Sequence, residues 1–452
     1  EANVETEGRK PVWRAQLVLC AMAALSVGYL MLIRTPMRLT PDVLNYLSMA
    51  QSAAEGNGFL VRGSETHFPP GYPAMLAALD LAGLGVNWAF VALNCVFLAV
   101  ALPAAYYVLR KAYGFEPWLA LLACCMTMLS YVCMMHVATP LSDVSFMGVS
   151  MAALAAIVAA ERSTGRRRWC LAALALLMCG AATAIRTVGV ALLPALLWAC
   201  SARGRTVPDV IQYLRGNRRL LAALSALALL VGVAGTVLMT RTRYFDEMAE
   251  KYRDRGFVPM ALQTLDYRVS EFGQMATNAW RWKVLPYMKI IGAFTIGLTL
   301  FGLWQRRPSF RAADVYVLFF MVIMAVWPYR DGRFWLPIMP LIFGMLALTF
   351  RALVSRLAPK VGVLTALAIK VGIVAVLVNY SLRGTFWMGE HLILSVSGRY
   401  DFPEIYYYRQ RYGPTYRKAF GSDQPVDESK VHKVALRMLQ RYEPLARQPE
   451  EE

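Results

Sequence analysis

The residues best suited to chemistry are a few acids and arginines placed where apolar sequence gives way to polar. Asp42 follows the first long apolar segment and lies in the stretch 38–73. It heads an amphipathic pattern in which Val43, Leu44, Tyr46, Leu47 and Ala50 fall at helical spacing. Thr40 suits an N-cap and Pro41 a first helical position, so a helix is predicted to begin at 41. A carboxylate fixed where a membrane helix ends is placed to meet a substrate at the interface, and it has the chemistry of a general base. Asp143 closes the run His136-Val137-Ala138-Thr139-Pro140-Leu141-Ser142-Asp143, at the head of another apolar segment. The plainer reading of Asp143 is a helix cap, where a carboxylate suits the N-terminal dipole.

Arg186 interrupts the apolar run 169–200. An arginine there is costly unless it faces a cavity or a partner. Its fork suits a phosphate, and a salt bridge to Asp143 or Asp42 is the alternative. Arg330 and Arg333 lie in Trp327-Pro328-Tyr329-Arg330-Asp331-Gly332-Arg333-Phe334-Trp335-Leu336-Pro337. Two arginines beside aromatics at a membrane surface suit a lipid phosphate, while the aromatics themselves fit an interfacial belt. Glu65 and His67 sit between Asp42 and the Pro69-Pro70 step, as metal ligands or as ordinary exposed loop residues.

These residues need elements to carry them, and composition says which kind. The chain has 452 residues, 58% hydrophobic and 17% charged, with mean hydropathy +0.43. Its long apolar runs make it an all-α polytopic membrane protein. The net charge of +18 does not indicate nucleic acid, because the cations cluster in short loops between spans. The eight cysteines all fall in or beside apolar runs, which implies buried hydrophobes and no disulfide framework. The first span lacks an Ala-x-Ala-like site and reads as a retained anchor.

Spans are expected at about 13–33, 88–109, 117–137, 143–160, 169–185, 187–200, 220–240, 285–304, 313–328, 334–352 and 361–382. Residues 74–86 are apolar but fall short of the roughly 20 residues a crossing needs, so they are read as a re-entrant or interfacial helix. With that helix not crossing, about eleven spans put every short cationic loop and the N-terminus on the cytoplasmic side. The outer face then collects 34–87, Asp143, Arg186, the polar loop 241–284 as a surface helix or lid, 329–333 and a tail 383–452. Aromatics of that tail, among them Tyr412 and Tyr416, would lie in the headgroup layer or stack on sugar rings. Lys370, placed mid-span, would pair with a carboxylate or snorkel.

Two motifs carry a family resemblance: the D-x-x-x-Y of Asp42 and Tyr46 after the first span, and Pro69-Pro70-Gly71-Tyr72-Pro73 entering the next apolar run. The chain resembles the GT-C glycosyltransferases, above all the bacterial branch with aminoarabinose transferase and protein O-mannosyltransferases. The likeness covers about 34–350. It implies an inverting glycosyltransferase in the bacterial inner membrane, moving a sugar from a polyprenyl-phosphate donor to an extracytoplasmic acceptor hydroxyl of a lipid, glycan or protein. It makes 1–382 the transmembrane domain. Asp42 would be the general base. Asp143 would be the second acidic motif, which in some relatives joins the first in holding a divalent metal such as magnesium or manganese; other relatives work without one. Arg186 stands where the family usually has the lysine of a T-K-G. Arg333-Phe334 and Pro337 resemble the family's R-Y-x-x-P loop. Arg186, Arg330, Arg333 and Tyr46 would bind the donor. The rival readings are a transporter or flippase, which predicts a repeat between halves, and a non-catalytic polyprenyl-phosphate-binding protein.

Overall fold

The computed structural model describes residues 12–66, 68–202, 244–279, 285–357, 363–397, 406–421 and 425–446. The described chain is helical, as the apolar periodicity requires: in lipid, a helix satisfies its own backbone. Seven described helices are long and apolar enough to cross a membrane, eight if one bent pair counts as a single span. Two shorter apolar helices, Thr187–Ser201 and Ala312–Val326, add to these. The span expected at 220–240 lies outside the described residues. The protein is an integral membrane protein.

Helix α1, Val12–Met31, is followed by α2, Pro41–Ala54, and α3, Gly71–Leu81. The Thr40 side chain accepts the Val43 N–H and Pro41 opens α2, as predicted from the cap residues. At 11 residues, α3 is about 16 Å long and cannot cross a hydrocarbon core of about 30 Å. Next come α4, Asn87–Lys111, then α5, Pro117–Met128, and α6, Tyr131–Val137.

The expected third span is not straight: α5 and α6 meet at 61°. The break is held from outside. Asn278 accepts the Tyr131 N–H at 2.8 Å and donates to the carbonyls of Leu129 at 2.9 Å and Tyr380 at 3.2 Å. A side-chain amide thereby replaces the helical bonds that the bend removes.

Helices α7, Ser142–Arg162, α8, Gly165–Ile185, and α9, Leu192–Ala202, form a continuous packed group with α4. Then follow α10, Tyr244–Arg255, and α11, Phe257–Thr277. The second half of the expected polar loop is therefore no surface lid. Helix α11 packs tightly on α12, Pro286–Arg306, and buries Phe272 and Glu271 completely. The approach is close because Gly273 and Gly292 face each other's helices: a Cβ on Gly273 would sit 2.0 Å from the Met288 carbonyl oxygen.

The remaining helices are α13, Ala312–Val326, α14, Met339–Leu357, α15, Val363–Ser397, α16, Tyr406–Phe420, and α17, Lys433–Tyr442. Lys370 is exposed about two turns into α15 and is not in a buried pair. Tyr412 and Tyr416 are 1% and 5% exposed. They belong to the packed interior, neither to the headgroup layer nor to an open sugar platform.

Candidate active site at one end of the bundle

Four segments distant in sequence deliver the charged residues to one place. The start of α2 brings Asp42, the start of α7 brings Asp143, the end of α8 brings Arg186, and a 3-10 turn, Gly332–Ile338, brings Arg333.

Each delivery has a local cause. Asn94 of α4 donates to the carbonyls of Thr139 at 2.8 Å and Val137 at 3.2 Å, fixing the link between α6 and α7. That link launches α7 with Asp143 in its first turn, where no side chain caps the helix. Asp143 therefore makes no cap hydrogen bond; it sits in the first turn, where its charge suits the helix dipole, and it makes ion pairs as well. Arg186 ends α8 in extended backbone, and the chain folds back at once through the 3-10 turn Thr187–Ala191. The fold-back needs Gly189, whose Cβ would lie 2.6 Å from the Thr183 nitrogen. Gly71 plays the matching part from the other side. A Cβ there would meet the Ala184 backbone at 2.6 Å, so the Pro-Pro-Gly-Tyr-Pro motif lets α3 abut the very end of α8.

Arg186 pairs with Asp143. Arg333 pairs with Asp42, reaches Asp143 at 3.8 Å and Asp331 at 3.0 Å. Arg333 is thus ringed by three carboxylates, whereas Arg186 spends one nitrogen on Asp143. Both guanidiniums lie by the Phe334 ring, at 5.3 Å and 5.4 Å. The acids differ in access. The Asp143 side chain is 1% exposed and that of Asp42 27%. Arg330 is exposed, outside the ion pairs that Arg333 makes.

Tyr46 is buried one turn after Asp42, and its hydroxyl shares a 3.0 Å hydrogen bond with Ser142. Burial pushes its phenol up to about 12, against the pull of Arg186. Tyr46 also packs edge-on against Phe68 and Tyr72. It couples α2 to the start of α7 and stays protonated.

Among the described residues no three His, Cys, Asp or Glu side chains converge as a metal donor set. Asp42 and Asp143 are joined through Arg333 instead, and their charge is already met by guanidiniums. As arranged, these residues do not fit a divalent ion. Glu65 is exposed, and His67 lies outside the described residues. His136, in α6, is buried with Nδ1 at 2.7 Å from the Val132 carbonyl oxygen.

One part of the site was not foreseen. Glu271 of α11 accepts from the Trp335 indole at 2.8 Å and from the Asp331 N–H at 2.8 Å, and pairs with Arg268 at 3.1 Å. Arg268 donates in turn to the Tyr329 carbonyl. This pair braces the loop that carries Arg333. Its sequence signal was an acid three residues after an arginine inside an otherwise mostly apolar helix.

No protein-family model matches the chain, and no curated protein matches its sequence. Solved structures do. ArnT from Cupriavidus metallidurans bound to undecaprenyl phosphate is 15% identical with TM-score 0.51, over 93% of this chain and 85% of that one. Its apo form is 13% identical with TM-score 0.51, over 93% and 84%. The Archaeoglobus fulgidus oligosaccharyltransferase tethered to an acceptor peptide is 12% identical with TM-score 0.50, over 94% of this chain and 59% of that one. At such identities the likeness is one of architecture. The chain is a polytopic helical membrane protein. Its fold is that of the GT-C membrane glycosyltransferases.

Proposed function

We propose that the protein is an inverting glycosyltransferase that moves a sugar from a polyprenyl-phosphate donor to an acceptor hydroxyl. It works at the extracytoplasmic face of the bacterial inner membrane, with its N-terminus in the cytoplasm and its tail outside. The observation that carries this reading is the convergence of Asp42, Asp143, Arg186 and Arg333 at one end of a bundle with the GT-C fold.

In an inverting displacement the acceptor oxygen forms a bond to the anomeric carbon as the bond to the phosphate oxygen breaks. The acceptor proton must leave, and Asp42 is the acid with access to take it. The electron pair departs on the lipid phosphate, whose charge calls for cations. Arg186 keeps most of its donors unspent on acids and Arg330 is exposed, so these two meet the phosphate. Arg333 has another part: ringed by acids, it clasps Asp42 and Asp143 in mutual register.

The test is Asp42→Asn in the full chain, with sugar transfer in membranes followed beside undecaprenyl phosphate binding. Lost transfer with retained binding supports the enzyme. Wild-type transfer removes Asp42 as base. Mass spectrometry of lipid and glycan pools from cells lacking the protein would name the sugar and the acceptor.

A further inference from the structure

Residues 36–40 join α1 to α2 without regular secondary structure, yet they are buried: Met37, Arg38 and Leu39 are 0%, 2% and 1% exposed. Buried backbone groups need partners. Here the carboxy-terminal segment supplies them, from nearly 400 residues away in sequence. The Tyr416 hydroxyl of α16 accepts the Leu39 N–H at 2.6 Å and donates to the Met37 carbonyl at 2.9 Å. Glu443, just past α17, accepts the Met37 N–H at 2.7 Å and the Asn87 amide at 3.2 Å. Asn87 also donates to the Thr35 carbonyl at 2.8 Å. Both ends of the 37–39 segment are thereby fixed by two side chains that are themselves 5% and 4% exposed.

The clamp has an outer ring. Arg441 pairs with Asp80 of α3 at 2.8 Å and with Glu55 at 3.5 Å, and Tyr442 packs edge-on against Phe90 of α4. The segment therefore grips the loop before α2, the end of α2, and α3 together. The next residues after 37–39 are Thr40, which caps α2, and Asp42 in its first turn.

We propose that Tyr416 and Glu443 are positioning residues for the reaction: they set the backbone of 37–39, and through the Thr40 cap they set where the Asp42 carboxylate points. The tail is part of the catalytic scaffold and not an appended domain. This rests on the reading of Asp42 as the general base. A base must be held within a fraction of an ångström of its productive place, and a displacement of about 1 Å costs up to about a hundredfold in rate.

The experiment uses the full chain, made as Tyr416→Phe, Glu443→Gln, Glu443→Ala and Asp42→Asn. Turnover is read as release of undecaprenyl phosphate from the endogenous sugar-linked lipid of native membranes. Binding is read with undecaprenyl phosphate on purified protein, and folding by the thermal midpoint. Tyr416→Phe keeps the ring and removes only the hydroxyl. It is expected to lower turnover about tenfold or more with affinity within about twofold, and to lower the midpoint by only a few degrees, the cost of a buried N–H and carbonyl losing their partner. Glu443→Ala should behave likewise, and Glu443→Gln, which keeps an acceptor oxygen, should recover most of the loss. Wild-type turnover in Tyr416→Phe and Glu443→Ala, with Asp42→Asn inactive, overturns the clamp and spares the base. Equal losses of turnover, affinity and midpoint also overturn it, because the tail would then be packing alone. Full activity of Asp42→Asn overturns the base, and the clamp with it.

Discussion

Two ion-pair systems stand within one loop of each other, and they differ in access. In the Arg268–Glu271 pair the carboxylate receives an indole, a backbone N–H and a guanidinium, and it is completely buried. No part of that carboxylate is open to solvent. In the Asp42–Arg333–Asp143–Arg186 cluster one acid is 27% exposed and one guanidinium is held through a single nitrogen. The same residue types therefore make a closed brace in one place and, in the other, an open cluster to which the proposed reaction is assigned. Access separates the two, not residue type: Asp42 is open to solvent and Glu271 is not.

The comparison breaks or sharpens under four measurements. Asp42→Asn, which removes a proton acceptor and leaves shape intact, should cut sugar transfer about a thousandfold while undecaprenyl phosphate still binds; the matching Glu271→Gln should not approach that loss. Glu271→Ala should instead destabilise the fold by about 1–3 kcal/mol, since it takes the acceptor from the buried Trp335 indole and the Asp331 N–H. Thermal unfolding in detergent reads this, and an unchanged midpoint would show that the brace bears no weight. Arg186→Lys keeps the charge but loses the fork, and should weaken undecaprenyl phosphate binding about tenfold, seen by equilibrium binding.

The smallest effect is one of pH. Burial pushes the Glu271 carboxyl up to about 8, so the folded state holds a proton that the unfolded chain has released. The resulting stability is full below the ordinary carboxyl range and is lost as pH rises through about 8. The midpoint should fall over that interval in the wild type and change less in Glu271→Gln.

Much of this architecture could be read in advance because its causes are local. Apolar runs of span length, the Thr40-Pro41 cap and the short 74–86 segment depend on neighbours in sequence. The isolated acids and Arg186 were legible because a charge in apolar surroundings is costly without a partner. What escaped depends on residues far apart. The bend between α5 and α6 is written in Asn278, and the fixing of 37–39 in Tyr416 and Glu443. Neither leaves a periodic trace. The ion pairs of Arg333 escaped for the same reason: Asp42 and Asp143 come from separate segments, and only the fold brings them to it.

The contact of Gly71 with Ala184 reaches further than one absent methyl group. Deleting a single residue inside α8 would rotate everything beyond it by about 100° and draw it back by about 1.5 Å. A side chain would then press where bare backbone now meets the glycine, and Arg186 would swing away from Asp143. The number of residues between Gly165 and Ile185 is therefore as much a constraint on the reaction as the identity of either acid. Insertions that the loops would absorb should be intolerable there.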